Sequence, residues 1–383
     1  MKEKYLKQGV IALLLIFVLT IGGAAGCSSP EEENAADPPA TNSLDLEEES
    51  STVTITDMFG REVLVPKDIR KVYSGIPIGT VLVYTLAPEK LVAKNFKMSE
   101  LEKKYTVESY HDLPVLGTYI VGDTANEEDI LDLMPDVILY TGVLDDTWGT
   151  KVEEIQERLG IPVVMVDGDL KNVAAAYEFM GRLLGEEERA EQLGEYCRQT
   201  LAEAAEIAGN IAEDAKIRVY YATGEDGMMT YAAGNIHSEL IEIVGGKNID
   251  EVEAGYFYNQ NLSVEQLLKW NPQVIITNRP GARGEEGGDT SLRAKMLENE
   301  SLHDLAAIKD KHVYEIPCAP FSWFGQPPSA ARILGVKWLG GLLYPELFTD
   351  DIRAETEEFY KLFYAYDLSA EDWEELTSNA LRQ

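Results

Sequence analysis

The sequence predicts an α/β protein of two lobes joined by one long helix. Three observations carry that expectation. Strand-like apolar runs alternate with helical patterns, as they do where parallel sheets are covered by helices. The alternation occurs in both halves of the 383-residue chain, and the longest helical pattern lies between them. About 330 residues follow the N-terminal segments, enough for two lobes of ordinary domain size.

The N-terminal segments set the compartment. Lys2, Lys4 and Lys7 precede the nearly all-apolar stretch 8–22, the pattern of a secretory signal. That stretch is short against the roughly 20 residues of a spanning helix. It ends in Gly23-Ala24-Ala25-Gly26 directly before Cys27, which resembles a bacterial lipobox with Ala24 in place of the usual Leu. Residues 1–26 are therefore expected to be a lipoprotein signal peptide, with Cys27 the lipidated residue. An ordinary cleaved signal and an uncleaved anchor are the competing readings. Residues 28–51 hold eight acidic residues and no basic one, so 27–51 reads as an acidic flexible tether with too little apolar surface to fold.

Charge and cysteine usage narrow the partners. The net charge of -34, from 67 acidic and 33 basic residues, argues against nucleic acid or anionic lipid, which need a basic face. Apart from Cys27, only Cys197 and Cys318 remain, so at most one disulfide can form; two buried thiols are the simpler expectation.

Element by element, KVYSG, LVAKN, DVILYTG and IPVVMVDG read as strands of a first lobe, 52–170, with helices over 79–86, 127–133 and 151–159. A helical segment follows over 171–213, broken once near Gly185; its part from 186 to 212 would span roughly 40 Å. The second lobe, 214–383, offers the strands IRVYYATG, PQVIITN and HVYEIP, separated by helical patterns at 236–244, 263–269 and 291–305.

A family resemblance extends over nearly all of the chain from Thr52. TITDMFGREVLVPKDIRKVYS is similar to the hairpin and first strand that begin the iron-siderophore/cobalamin family of periplasmic binding proteins. NEEDILDLMPDVILYTG, RLGIPVVMVDG, HSELIEIVGGKNI, LSVEQLLKWNPQVIITN and AIKDKHVYEIPCAPFSW follow in the family's order. PPSAARILGVKWLGGLLYPELF resembles a branch associated with iron complexes, corrinoids or, in some members, molybdate and tungstate. The resemblance implies two Rossmann-like lobes, a rigid helical linker and a ligand cleft, the class III helical-backbone architecture. It also implies a monomeric lipoprotein, extracytoplasmic and held at the membrane by its lipid anchor. The implied role is capture of an iron-siderophore or related metal chelate for an ABC permease dimer with its ATPase subunits. Cobalamin, haem and molybdate or tungstate are the alternative ligands.

Chemistry places the ligand separately. In parallel α/β sheets ligands sit beyond the carboxyl ends of the strands. The loops there hold Ser74, Thr118, Tyr119 and Tyr140 in the first lobe and Tyr256, Arg279 and Trp323 in the second. A guanidinium such as that of Arg279 can grip a carboxylate or oxyanion in bidentate fashion, although an exposed loop arginine is an equal reading. Trp323, Tyr256 and Tyr119 would give flat surfaces to a large chelate or serve as lobe-edge packing. Ser74 and Thr118 suit anion donors or turn caps.

No catalytic residue, cofactor or protein metal site is assigned. His111, His237, His303 and His312 are scattered without metal-ligand spacing. Axial haem ligation would fall to Met98, His111, Met228, Met229 or His237. An extracellular lipoprotein enzyme is the rival class; no G-x-S-x-G, P-loop or G-x-G-x-x-G motif supports it. By the resemblance, each lobe offers a glutamate to the permease, Glu128 in NEEDILDLMPDVIL and Glu265 in LSVEQLLKWNPQVII. A first-turn carboxylate is also favoured by the helix dipole alone.

Overall fold

The computed structural model describes residues 51–120, 122, 124–249, 260–279, 291–325 and 327–382. The signal, Cys27, the tether up to residue 50 and Tyr256 lie outside the described residues. An antiparallel hairpin opens the folded part, Thr52–Thr56 against Glu62–Pro66. Its second strand alternates, with Val63 and Val65 buried and Leu64 exposed, as a half-buried strand must. The buried Asp57 carboxylate fixes the turn by accepting from the amides of Phe59 and Arg61 and from the Arg61 guanidinium. It also accepts from Met165 N at 3.1 Å, which pins the hairpin to the first sheet.

That sheet is parallel, with Val137–Gly142 between Val72–Ser74 and Val163–Asp167. Its covering helices include Pro77–Leu86, Glu127–Leu133 and Asp146–Leu159. The segment LVAKN, expected as a strand, makes only single bridges, Val72 with Leu91 and Lys94 with Val115. Side chains take the place of a ladder there. Lys94 Nζ donates to Tyr110 O at 3.2 Å, and Asn95 Nδ2 donates to Ser74 O and Gly117 O at 3.0 and 2.8 Å.

The second sheet is also parallel, with Val274–Asn278 between Val219–Ala222 and Val313–Ile316. Two expected helices are shorter. The 236–244 pattern yields only Leu240–Ile243, because Ser238 Oγ donates back to Ala232 O and Asn235 Oδ1 accepts from His237 N, holding a turn. The 291–305 pattern ends its α-helix at Glu298; Asn299 then caps a 3₁₀ turn, Glu300–Leu302, by accepting from Ser301 N.

Between the sheets, Val173–Leu184 ends at Gly185 with φ of 72°, a left-handed position that glycine adopts without strain. The 23-residue helix Glu187–Gly209 follows, about 34 Å long. Ala190, Leu193, Gly194, Cys197, Thr200 and Ala204 form its buried stripe, and glutamates occupy much of the rest. The two helices cross closely enough that a Cβ on Gly181 would lie 2.5 Å from the Ala190 side chain. Three helices close the chain, Arg332–Leu343, Ile352–Tyr364 and Ala370–Thr377.

One core runs through both lobes. It joins Leu139 and Val164 of the first sheet to Leu193 and Cys197 of the long helix, then to Val219 and Ile276 of the second sheet. Aromatic stacking extends it, with Phe359 and Phe363 only 4.0 Å apart. Each lobe keeps a smaller outer core of its own. Cys197 and Cys318 are buried free thiols, and burial pushes Cys318 up to about 12, so neither is poised for redox chemistry. No helix among the described residues is long and apolar enough to cross a membrane.

Candidate ligand cleft and docking helices

The strand ends of the two sheets meet across a cleft. Pro77–Leu86 begins there with Pro77 at its first turn and no side chain capping its N-terminus. The helix seats tightly because residue 79 is glycine; a Cβ would lie 2.5 Å from both Ser74 Oγ and Thr141 Oγ1. Thr80 Oγ1 donates to Asn95 Oδ1 at 2.6 Å and links the helix to the segment Asn95-Phe96-Lys97-Met98. That segment forms the first-lobe lip, facing Cys318, Pro320, Phe321 and Ser322 of the second. The cleft encloses about 60 Å³ and is open on one side to solvent. Val81, Met98, Tyr110, Phe321 and the prolines make it mainly apolar, and Lys97 brings an exposed cation to it. Phe96 keeps 37% of its surface exposed at the lip. Tyr84 and Phe321 meet edge to face across the lobes, 5.4 Å between centroids.

A second, smaller interlobe cavity of about 20 Å³ lies toward the helical side, lined by Thr141, Asp167, Ser329 and Arg332 among others. Arg332 is only 2% exposed. It donates to Ser329 O and Ile236 O in its own lobe, pairs with Glu239, and reaches Gly168 O of the first lobe at 3.2 Å. Burial raises the Glu239 carboxyl, and the guanidinium opposes that rise. Arg332 is thus an interlobe fastener; the sequence reading contained it only inside the PPSAARILG motif.

Of the residues expected to hold ligand, none of those described lines this cleft. Ser74 is fully buried and donates to Ile76 O at 2.6 Å, so its hydroxyl shapes the turn. Thr118 Oγ1 lies 3.2 Å from Thr124 Oγ1 within its own loop. The Tyr119 hydroxyl binds Glu127 and accepts from Arg158 at 3.0 Å. Tyr140 donates to Val143 O at 2.9 Å and stacks on Trp148. Trp323 is fully buried in the shared core. Arg279 Nη1 donates to Glu375 O at 2.7 Å, a bond to the last helix. Of the residues weighed for haem, Met98 lines the cleft, whereas His111 is engaged by Thr106 and His237 by Gly325 O. No cluster of three metal-ligating side chains occurs among the described residues. The missed lip residues carried one usable signal, since Asn95 to Met98 follow an apolar run in a sheet-forming half.

Away from the cleft, two helices repeat each other. Glu127–Leu133 and Val264–Trp270 are both seven residues long. Asn126 caps one by accepting from Glu128 N, and Ser263 caps the other by accepting from Gln266 N. Each ends on a left-handed residue, Met134 at φ 48° and Asn271 at φ 49°, followed by proline and then a parallel strand. Glu128 and Glu265 take the second position of each helix and are exposed. Their neighbour Glu127 is committed to Arg158 at 2.8 Å. Its own backbone N–H and the Ser263 hydroxyl hold the Glu265 carboxyl below the usual carboxylate range.

Comparison with known proteins agrees with this architecture. Residues 80–320 match the periplasmic binding protein family. The chain is 24% identical to the molybdate-binding protein MolA of Haemophilus influenzae, covering 81% of this chain and 90% of the relative. It is 23% identical to the uncharacterized ABC transporter substrate-binding lipoprotein YvrC of Bacillus subtilis, covering 90% and 99%. An ABC transporter solute binding protein from Sulfurospirillum deleyianum superimposes with a TM-score of 0.76 at 27% identity, covering 84% of this chain and 98% of that one. The family match, the paired parallel sheets and the long helix between them lead to one conclusion: the chain belongs to the periplasmic binding protein family, as a solute-binding protein of ABC transporters.

Proposed function

We propose that the protein captures a bulky, partly apolar metal chelate of the iron-siderophore type in the interlobe cleft and delivers it to a permease. The observation that supports this is the cleft itself, a solvent-open site of mainly aromatic and aliphatic surface at the carboxyl ends of both sheets, with Lys97 and Glu102 among its lining residues. Cobalamin and haem are the alternative chelates. One observation favours a second reading, an oxyanion such as molybdate or tungstate. The uncapped N-terminus of Pro77–Leu86 faces the cleft, and one relative is named as molybdate-binding. Metal analysis and native mass spectrometry of material that co-purifies decide between them. Iron or cobalt with an organic mass supports the chelate; molybdenum or tungsten without one supports the oxyanion; catalytic turnover of a metabolite panel by the purified chain would defeat both.

The surrounding roles complete the proposal. Residues 1–26 form the signal, Cys27 carries the lipid and 27–51 tether an extracytoplasmic monomer to the membrane. The lobes run over 52–170 and 214–383, with 171–213 between them. Glu128 and Glu265 dock on the two permease subunits; their matched helices, capping and exposure support equivalent positions on the two lobes.

A further inference from the structure

A concave site on the outer edge of the second lobe lies apart from the ligand cleft. It lies beside the edge strand Val313–Ile316, at the end where Lys311 and His312 enter the strand. The ligand cleft begins at Cys318, beyond the other end. The site has a volume of about 270 Å³. Arg293, Lys311, His312 and Arg382 line it, with the Tyr314 ring among them and Asp310 as its one carboxylate.

The cations there are held from behind. Arg293 Nε donates to Val313 O at 2.7 Å, and Arg382 Nε donates to Leu342 O at 2.8 Å. Both guanidinium groups are thereby fixed through one nitrogen, and their terminal nitrogens have no partner among the described residues. Neither they nor Lys311 form an ion pair among the described residues, although the chain holds 67 acidic residues against 33 basic ones. The Tyr314 hydroxyl is raised by burial, and Arg382 and Arg293 oppose that rise, so both cations act on the same point. Lys311 occupies a left-handed backbone position, φ 59°, where glycine would sit without strain.

We propose that this site binds a phosphate group. Two anchored guanidinium forks match the oxygens of a tetrahedral oxyanion, Lys311 adds a point charge, and the Tyr314 hydroxyl supplies a donor between them. The group reaches the site as a free small phosphate or as a phospholipid headgroup, the second being a local exception to the repulsion that the net charge of -34 sets against an anionic membrane.

The test is calorimetry of the purified chain with inorganic phosphate at low ionic strength, beside co-sedimentation with vesicles of phosphatidylglycerol in phosphatidylcholine. Saturable phosphate binding, weakened at least about tenfold in the Arg293→Gln, Arg382→Gln variant, supports the site. Vesicle binding that the same variant loses, with no heat from free phosphate, supports it and identifies the headgroup as the source. Tyr314→Phe removes only a hydroxyl and guards against misfolding of the double variant; it should weaken whichever probe binds. Failure of both probes to bind, or equal binding by wild type and all variants, overturns the proposal and leaves these cations as solvated relief of the chain's negative charge.

Discussion

Replacing Asp372 by Asn tests whether the last helix clamps the lobes together. Asp372 lies on Ala370–Thr377 with 5% of its side chain exposed, and Lys104 of the first lobe reaches it at 2.6 Å. Lys104 also meets Glu375 at 2.8 Å, and Arg279 ties the same helix to the end of the central second-sheet strand. Burial by itself would raise the Asp372 carboxyl. Hydrogen bonds from Lys104, the Ser369 amide and the Ser369 hydroxyl more than offset it and hold the group at about 2, against 3.8 for a free aspartate. At 1.36 kcal/mol per unit, that depression corresponds to about 2.5 kcal/mol. Lys104 keeps 39% of its side chain in water, which screens the pair, so its coupling to Asp372 should be about 1–2 kcal/mol. Asn can still accept from Ser369 N and preserve the cap. Because the folded group has the lower pKa, its contribution is complete above about pH 5 and is lost as pH falls toward 2. Urea unfolding of wild type, Lys104→Met, Asp372→Asn and the double variant, at pH 7 and in steps down to pH 2.5, reads both quantities. A gap between wild type and Asp372→Asn that does not narrow with acid, or single effects that simply add, would refute the argument.

Other expectations follow from the cleft and the surface. Phe96→Ala should weaken binding of the co-purifying ligand by about 1–2 kcal/mol if the lip covers it; an unchanged thermal shift on ligand addition would remove Phe96 from the site. The Glu128→Ala, Glu265→Ala variant should bind ligand normally yet fail to stimulate ATP hydrolysis in reconstituted transporter, and full transport would reassign both glutamates. Arg279→Ala should cost about 1 kcal/mol of stability and leave ligand affinity intact, since its described bond is to Glu375 O; calorimetry showing a tenfold affinity loss would restore it to the site. Small-angle scattering should record little contraction on ligand binding, because the core is shared between the lobes; a large one would contradict that.

Much of the fold was legible because its signals are local. The six parallel strands are short apolar runs bounded by breakers, and Gly185 announces the helix break in chain order. What failed was tertiary. LVAKN has the apolar character of a strand, yet Lys94 and Asn95 spend their polar groups on the carbonyls of Tyr110, Ser74 and Gly117, which no window of sequence contains. Site residues suffered from the same limit. Ser74, Tyr140 and Trp323 occupy the right ends of the right strands, but whether such a side chain enters the cleft or the interior depends on packing around it, and all three turn inward. Arg332 is the converse case. It lies within an apolar helix where no neighbour in sequence accounts for a buried charge, and the carbonyls of Ile236 and Gly168 converging on it, with Glu239, explain the burial.

The core shared across the lobes settles where the work of transport falls. A capture protein hinged on loose strands spends part of its ligand's binding energy on closing. Here a shared core ties the lobes together in advance, which lowers that cost. Release is the harder step. Whatever empties the cleft must strain the Arg332–Gly168 and Lys104–Asp372 links and disturb a packed interior. The force for unloading must then come from outside this chain.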